Sequence, residues 1–236
     1  MMLRISDLHA AYDKAEVLQG IDLEVGPGEV ICLIGRNGVG KSSTMKSIVR
    51  DQIVVTGGEI VFDGQSLAGV RPHDVIRRGV GYVPEDRRVF ASLSVLENLK
   101  VPRPVAAPDR RRWTVDEVFR LFPQLHDYRH RSAGVMSGGE QQMLSIARSL
   151  LTCPKLLLLD EPHEGLAPKI AEEVVDAIVA LKREGVSMIV SEQALNTIRR
   201  CADRVYVIDR GMTVWNGSVD GFYADPEITR KFLMVQ

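Results

Sequence analysis

Several features are scarce in this sequence, and each scarcity excludes a class of protein. Only three cysteines occur, Cys32, Cys153 and Cys201, with no CxxC pair among them, so we expect buried or incidental thiols in a reducing compartment. The longest apolar runs, such as LLLL at 156–159, are too short to span a bilayer. Neither sign of charge dominates, since 30 basic residues face 31 acidic ones. No global field therefore draws the chain toward nucleic acid or an anionic membrane.

The N-terminal segment also lacks a targeting signal. MMLRISDLHAAYD has no positively charged region followed by an apolar stretch, so we expect no signal peptide. The 236 residues, 45% of them hydrophobic, suffice for an ordinary globular core. We predict a soluble, cytoplasmic chain that does any membrane work through a partner.

Strand and helix patterns alternate at both ends of the chain, and a helical stretch lies between them. Apolar runs and turn residues predict strands within 3–34 and at 80–83, 155–159 and 186–193, with hairpins at 63–64 and 210–211. Helical spacing predicts helices at 42–49, 94–101, 114–125, 137–151, 167–185 and 224–235. This order is typical of an α/β core with a parallel sheet and a helical subdomain.

A glycine-rich turn carries the strongest motif. GRNGVGKS at 35–42 matches G-x-x-x-x-G-K-[ST] between an apolar strand and a helix. Its residues are Gly35, Arg36, Asn37, Gly38, Val39, Gly40, Lys41 and Ser42. Glycines let backbone N–H groups approach phosphate oxygens, and the helix adds the positive end of its dipole. We predict that Lys41 contacts the β and γ phosphates and that Ser42 binds Mg²⁺.

Two adjacent carboxylates end the strand at 155–159. Because neighbouring side chains in a strand point to opposite faces, Asp160 and Glu161 are expected to have different roles. One would orient Mg²⁺ and its water, and Glu161 would polarise the water that attacks the γ-phosphate. The alternative is that both merely end the strand.

A second helix start suits an anion. Ser137, Gly138 and Gly139 precede a helix whose N-terminus favours negative charge. Glu140 follows Ser137 by three residues, which predicts a capping box. The motif by itself leaves open which phosphate this site would meet.

The motifs together resemble the ATP-binding-cassette (ABC) ATPase family. SGGEQQ at 137–142 resembles the family signature, and it lies between the P-loop and LLLLDEP in the family order. The resemblance implies a P-loop NTPase core with an N-terminal antiparallel β region, in one domain over 1–236 with a helical subdomain inserted at roughly 86–147. It also implies ATP and Mg²⁺ as cofactors. Two chains would face head to tail, so that the signature completes the partner's ATP site.

Five more residues take their expected roles from the resemblance. Tyr12 stands where the family has an aromatic that stacks on adenine, and Ser43 would reach the α-phosphate. Glu85 stands where many members have a Gln between Mg²⁺ and the attacking water, so it is a candidate metal ligand. Gln193 replaces the usual switch His; it can donate to a phosphate but carries no charge, which predicts hydrolysis with weaker pH dependence. His163 occupies the place of a small residue, and we do not expect it to be catalytic.

VPEDRRVF at 83–90, EGLAP, SEQA and DPEITRKFL resemble the ATPases of branched-chain amino-acid importers and their urea and amide relatives. That likeness implies integral-membrane permeases, a second ABC ATPase and, indirectly, a periplasmic substrate-binding protein as partners. The chain would lie on the inner face of the membrane. An ATPase for lipid or polysaccharide export is the nearer alternative. A soluble ABC ATPase acting on nucleic acid would carry a long coiled coil between P-loop and signature, and no heptad run is found there, so no nucleic-acid partner is expected.

The permease helices are expected to dock in a groove near residues 85–100. Val89, Phe90, Leu93 and Leu96 are candidates for lining it. The same four residues could instead fill the core of the helical subdomain, and the sequence leaves both possibilities open.

Overall fold

A mixed sheet runs through the part of the chain that the computed structural model describes, which is residues 1–104, 110–225, 227–228 and 230. The ten strands found there are β1 Leu3–Tyr12, β2 Ala15–Val25, β3 Val30–Ile34, β4 Val54–Phe62, β5 Gln65–Ser66, β6 Val80–Val83, β7 Leu156–Leu159, β8 Ser187–Glu192, β9 Arg204–Asp209 and β10 Met212–Ser218. Their order across the sheet is β5-β4-β1-β2-β10-β9-β3-β8-β7-β6.

The sheet has an antiparallel part and a parallel part. Strands β5, β4, β1 and β2 pair antiparallel, as do β9 and β10. Strands β6, β7, β8, β3 and β9 run parallel. One parallel pair, Met212 with Gly20, joins the two parts. Both predicted hairpins are confirmed, because β4 turns into β5 and β9 into β10 through two residues each.

Helices pack on both faces of this sheet. The α-helices of the described residues are α1 Lys41–Val49, α2 Pro72–Arg78, α3 Val95–Lys100, α4 Val115–Leu121, α5 Pro123–Asp127, α6 Gly138–Leu150, α7 Pro168–Arg183, α8 Leu195–Cys201 and α9 Val219–Ala224, and a 3₁₀ turn spans Ala133–Val135. Helices α3, α4 and α6 each begin with a complete capping box. Such a box satisfies two backbone donors at a helix start and fixes where the helix begins.

The helix prediction needs two corrections. The helix expected over 114–125 is two helices, because Pro123 starts α5 and its ring cannot continue α4 beyond Phe122. Helices α2, α8 and α9 were not predicted. The helix expected over 224–235 lies largely outside the described residues, and only residue 224 belongs to a helix named here.

Strand β3 shows how the sheet separates two cores. Val30, Cys32 and Ile34 belong to the core under α3 to α8, whereas Ile31 and Leu33 belong to the core under α1 and α2. All five are fully buried, as expected for a parallel strand covered on both faces. The carboxyl ends of β3, β6, β7 and β8 meet at one edge of the sheet, where ligands bind in open α/β folds.

The three cysteines are free and buried, which confirms that part of the prediction. The fold brings two of them together, since the Sγ atoms of Cys32 and Cys201 lie 3.9 Å apart. Their hydrogen bond and their burial raise the pKa of the Cys32 thiol, which keeps it unreactive. None of the described helices has the length and apolar character needed to cross a membrane.

Candidate active site

The P-loop connects β3 to α1 at the edge of the parallel sheet. A Cβ on Gly35 would lie 2.3 Å from the carbonyl oxygen of Ile208, so only glycine permits the turn to pass this close to β9. Val39 accepts a backbone hydrogen bond from Gly211 at 2.8 Å, which fixes the far side of the turn. The loop is therefore held against β9 and the turn that follows it.

Lys41 is the first residue of α1, and its side chain folds back under the loop. The ammonium donates to the carbonyl oxygens of Gly35 at 2.9 Å and Arg36 at 3.1 Å. It also lies 3.0 Å from Oε1 of Glu161. The side chain is only 3% exposed, so this ion pair is shielded from water and the cation is fixed beside the turn.

Asp160 organises the second half of the site. One oxygen accepts from the hydroxyls of Ser42 at 2.9 Å and Ser191 at 2.8 Å, and the other accepts from Tyr82 at 3.2 Å. Burial and the neighbouring carboxylate raise the pKa of Tyr82 well above its usual value, so Tyr82 stays a donor. The Ser42 hydroxyl and the Asp160 carboxylate are thus in contact.

The oxygen atoms at this point suit Mg²⁺. Ser42 and Glu85 both line a cavity of about 220 Å³ that also contains the P-loop residues Lys41 and Ser43. No cluster of three or more metal-ligating His, Cys, Asp or Glu residues occurs within the described ranges. Mg²⁺ is usually held by one or two carboxylates together with substrate phosphates, so the residues present fit that ion bound along with a nucleotide.

Asp160 and Glu161 do not lie on opposite faces of a strand, contrary to the prediction. Strand β7 ends at Leu159, so both carboxylates lie in the turn beyond it, where strand alternation does not apply. Glu161 has φ +45°, and its backbone N–H donates to the Ser191 hydroxyl at 2.7 Å. This turn directs both side chains toward the P-loop, Asp160 to the serine and Glu161 to the lysine.

Gln193 follows β8 and reaches across to the same place. Its amide nitrogen donates to Oδ1 of Asn37 at 2.6 Å and to Oε1 of Glu161 at 3.2 Å. Three predicted site residues from three distant segments therefore meet at one point. An amide here can donate toward a phosphate but cannot supply a full positive charge.

The remaining predicted contacts of the nucleotide lie around this centre. Tyr12, the last residue of β1, has the Lys46 ammonium 5.9 Å from its ring centroid, so it neighbours α1. Asn37, Gly38, Gly40 and Ser43 line the same cavity as Lys41. The roles predicted for Tyr12 and Ser43 remain predictions.

Ser137, Gly138 and Gly139 lie elsewhere. They start α6, and the expected capping box is present: Ser137 N–H donates to Glu140 at 2.7 Å, and Glu140 N–H donates to the Ser137 hydroxyl at 3.3 Å. A Cβ on Gly139 would lie 1.9 Å from Ile170 Cγ2, so glycine is required where α6 meets α7. The described residues that line the phosphate cavity include none of these three.

A groove of about 370 Å³ opens beside the helical segment. Its lining includes Pro72, Ile76, Pro84, Arg88, Val101 and Arg148. The stretch 85–100 thus contributes Arg88, whereas the four predicted apolar residues of that stretch are not part of the described lining. Val89 packs against the core, and Phe90 is 44% exposed at the margin, with the Arg148 guanidinium 4.4 Å from its ring.

Several residues of the site gave no usable signal in the sequence. Ser191 and Tyr82 hold Asp160 from β8 and β6, but a serine and a tyrosine in apolar strands suggest nothing by themselves. Arg87 was also missed: a Cβ on Gly138 would lie 2.5 Å from its Nη1, so its guanidinium covers the start of α6. Only spatial neighbours distinguish such residues.

A turn of this geometry between a parallel strand and a helix defines the P-loop class of nucleotide-binding proteins. The chain belongs to the ABC transporter family, whose model matches residues 18–164. It is therefore an ATP-binding subunit with ATPase activity, and the predicted fold class is confirmed.

Known relatives agree with this membership, and a solved structure shares the fold. The chain is 38% identical over 232 residues to the high-affinity branched-chain amino acid transport ATP-binding protein BraG of Pseudomonas aeruginosa, covering 98% of this chain and 99% of that protein. It is 29% identical over 239 residues to the lipopolysaccharide export system ATP-binding protein LptB of Haemophilus influenzae, covering 98% of this chain and 97% of that protein. The dimeric structure of a post-hydrolysis state of an ATP-binding cassette, bound to ADP and Pi, shares the fold with a TM-score of 0.79 at 21% identity, covering 92% of this chain and 99% of that one.

Proposed function

We propose that this chain is the ATP-hydrolysing subunit of a bacterial ABC importer for branched-chain or other amino acids, or for urea or amides. The identity of 38% to a branched-chain amino-acid transport ATPase, over nearly the full length of both chains, supports the class of cargo. The subunit would act from the cytoplasmic side, attached to the membrane through permease subunits. A periplasmic binding protein would deliver the cargo to those permeases.

The position of the signature turn supports a two-chain site. Lys41, Ser42 and Glu161 line one cavity and Asp160 contacts Ser42, while Ser137 starts a helix outside that lining. A dimer that places the signature of each chain over the P-loop of the other would complete both sites. This is the single observation that carries the proposed mechanism.

Hydrolysis then follows from the residues around the γ-phosphate. Lys41 and the P-loop N–H groups bind the phosphates, and Gln193 donates to the terminal phosphoryl group. Glu161 orients a water for attack on the γ-phosphorus, whose bond to the bridging oxygen breaks to give ADP and phosphate. Ser42, Asp160 and Glu85 would hold Mg²⁺, which when bound offsets the charge on the phosphates. ATP favours the closed dimer over the open one, and that difference drives the transporter.

The groove of about 370 Å³ offers a place for the permease. Its apolar floor, which includes Ile76 and Val101, is bordered by Arg88 and Arg148. A short permease helix with an apolar face and an acidic or C-terminal end fits this chemistry.

Export of lipid or polysaccharide is the second candidate. The 29% identity to a lipopolysaccharide export ATPase, over 98% of this chain, favours it, because the ATPase residues serve either direction of transport. Cargo is selected in the membrane partners, so the two candidates differ in what accompanies the chain.

Co-purification tests the assignment. We expect the tagged chain, extracted from native membranes in mild detergent, to bring two multi-span permeases and a second cassette ATPase. Lipid-export membrane proteins in their place would transfer the assignment to the second candidate. A purely soluble set of partners would overturn the transport proposal.

Mixing two inactive variants tests the shared site. Lys41→Ala removes a phosphate contact, and Gly138→Asp places a negative charge at the signature. In a head-to-tail dimer, one of the two sites of each mixed pair has both parts intact, so we expect each mixed dimer to regain about half of wild-type activity and an equal, freely exchanging mixture to regain about a quarter. No recovery, with mixed dimers present, would overturn the head-to-tail arrangement for two copies of this chain.

A further inference from the structure

His163 and Glu192 lie side by side next to the hydrolytic centre. Nδ1 of His163 is 3.2 Å from Oε2 of Glu192, and the two side chains are 18% and 2% exposed. One belongs to the turn after β7, and the other is the last residue of β8. Their contact therefore joins the two segments that carry Glu161 and Gln193.

Glu192 also holds the backbone that carries Gln193. Its other oxygen, Oε1, accepts the backbone N–H groups of Gln193 at 2.8 Å and Ala194 at 2.7 Å. The side chain of Gln193 continues from there to Asn37 and Glu161. A displacement of the Glu192 carboxylate would thus move the Gln193 amide.

The facing atoms of the pair have no other partner. Nδ1 of His163 and Oε2 of Glu192 are buried and, despite their 3.2 Å separation, lie outside hydrogen-bond angles in the described structure. Two buried polar atoms left in this state cost free energy, and a proton placed between them removes that cost. A cavity of about 240 Å³ lined by both residues, and by Glu161 and Gln193, leaves room for the imidazole to turn.

We propose that His163 and Glu192 form a proton-sharing positioning pair that holds Gln193 against Glu161. The inference deepens the proposed function, on which it rests, since it concerns the same ATP site. Neither residue touches the reacting atoms. The pair acts through the turn at 193–194, and His163 connects it to the segment 164–168.

The electrostatic surroundings favour one shared proton near neutral pH. The pKa of Glu192 is raised to about 7. Burial is the main cause, Glu161 adds to it, and the two backbone N–H groups and Lys41 on α1 act in the opposite direction. Burial lowers the pKa of His163, and Glu161 opposes that shift. Glu164 lines the same cavity and Cys32 on β3 also feels the Glu192 charge. Without His163, Glu192 would lose its buried partner and would ionise at higher pH.

ATP hydrolysis measured from pH 6 to pH 9 tests the pair in the assembled transporter. We expect His163→Ala to lower kcat about fivefold to tenfold at neutral pH and to change KM little. The kcat of this variant should return toward the wild-type value at alkaline pH. His163→Gln, whose amide can donate to Glu192, should restore much of the neutral rate. His126→Ala, at an exposed histidine of α5, should match wild type throughout.

Glu192→Gln supplies the second half of the test. It keeps an acceptor for the two backbone N–H groups but removes the titration, so adding His163→Ala to it should cost little more. Equal losses at every pH, or independent effects of the two changes, would overturn the pair. Each variant is compared with wild type in ATP hydrolysis and in thermal unfolding. The transport assignment is decided separately by co-purification, whose result does not depend on these variants.

Discussion

Two helix starts in this molecule are both predicted to contact phosphate, and they are built differently. Helix α1 begins after Gly40, with no side-chain cap and no acidic residue in its first turn. Helix α6 begins after Ser137, with a complete capping box and Glu140 in its first turn. Helix α1 begins with Lys41 and Ser42, and its first N–H groups have no side-chain partner. In α6, the side chains of Ser137 and Glu140 already accept hydrogen bonds from the N-terminal backbone.

The difference indicates which start can hold phosphate unaided. An uncapped N-terminus with a lysine leaves donors and positive charge for a ligand. A capped N-terminus is already stabilised, and its glutamate opposes an anion. The start of α6 therefore suits a phosphate that the P-loop of another chain already holds, which is the arrangement we propose.

The largest expected effect comes from the α1 side. Lys41→Ala should lower ATP hydrolysis by about 10²–10³-fold, because a buried cation at the phosphates is lost. Steady-state phosphate release measures the rate, and nucleotide titration measures the affinity. Lys100→Ala, at an exposed lysine ending α3, is the matched control. Near-normal hydrolysis in Lys41→Ala would contradict the proposal that the N-terminus of α1 binds the phosphates.

The second effect compares a buried carboxyl of the core with an exposed one. Burial raises the pKa of Glu192 from 4.5 to about 7, so the folded state loses stability as pH rises through that window. Glu192→Gln should remove this loss, which is at most about 3 kcal/mol. Urea unfolding at pH 5 and pH 7.5 measures it. Glu59→Gln, at an exposed site, is the control and should leave the pH dependence of the unfolding free energy unchanged. The same lack of change in Glu192→Gln would mean that the Glu192 carboxyl is solvated.

The third effect concerns the residue that joins the P-loop to Glu161. Gln193→Ala should lower kcat about tenfold, because a donor near the terminal phosphate is lost. Gln193→His should retain activity but make it depend more steeply on pH, since imidazole titrates near neutrality. Gln124→Ala, which removes an amide contact to Glu173 far from the site, is the control. Unchanged turnover in Gln193→Ala would exclude the role.

The smallest effect comes from the α6 side. Ser137→Ala should cost about 1 kcal/mol of stability through loss of the cap, and should lower hydrolysis only in the dimer. Ser94→Ala removes the same kind of cap from α3, so it should match the stability loss without the kinetic one. Thermal unfolding and ATPase assays separate the two. Equal kinetic losses in both variants would mean that Ser137 is a cap and nothing more.

The sequence predicted those features that depend on contacts between residues close together in the chain. The P-loop, the capping box of α6 and the two-residue hairpins each depend on a few consecutive residues, and the structure contains all of them. The break at Pro123 was missed, because the apolar spacing on both sides fits one continuous helix, although a proline there disfavours it. Helix α8 was missed because its seven residues carry no cap or strong period.

What the sequence determined by itself is the kind of chemistry, because G-x-x-x-x-G-K-S and DE after an apolar strand fix residue types at fixed spacings. The tertiary structure alone decided how those residues meet. Asp160 is held by Tyr82 and Ser191, and Glu161 meets both Lys41 and Gln193, contacts between segments far apart in the chain. Such contacts depend on strand order and on a turn at Glu161 that no local pattern records. Burial, which sets the proton affinity of Glu192, likewise exists only once the sheet and its helices have closed around it.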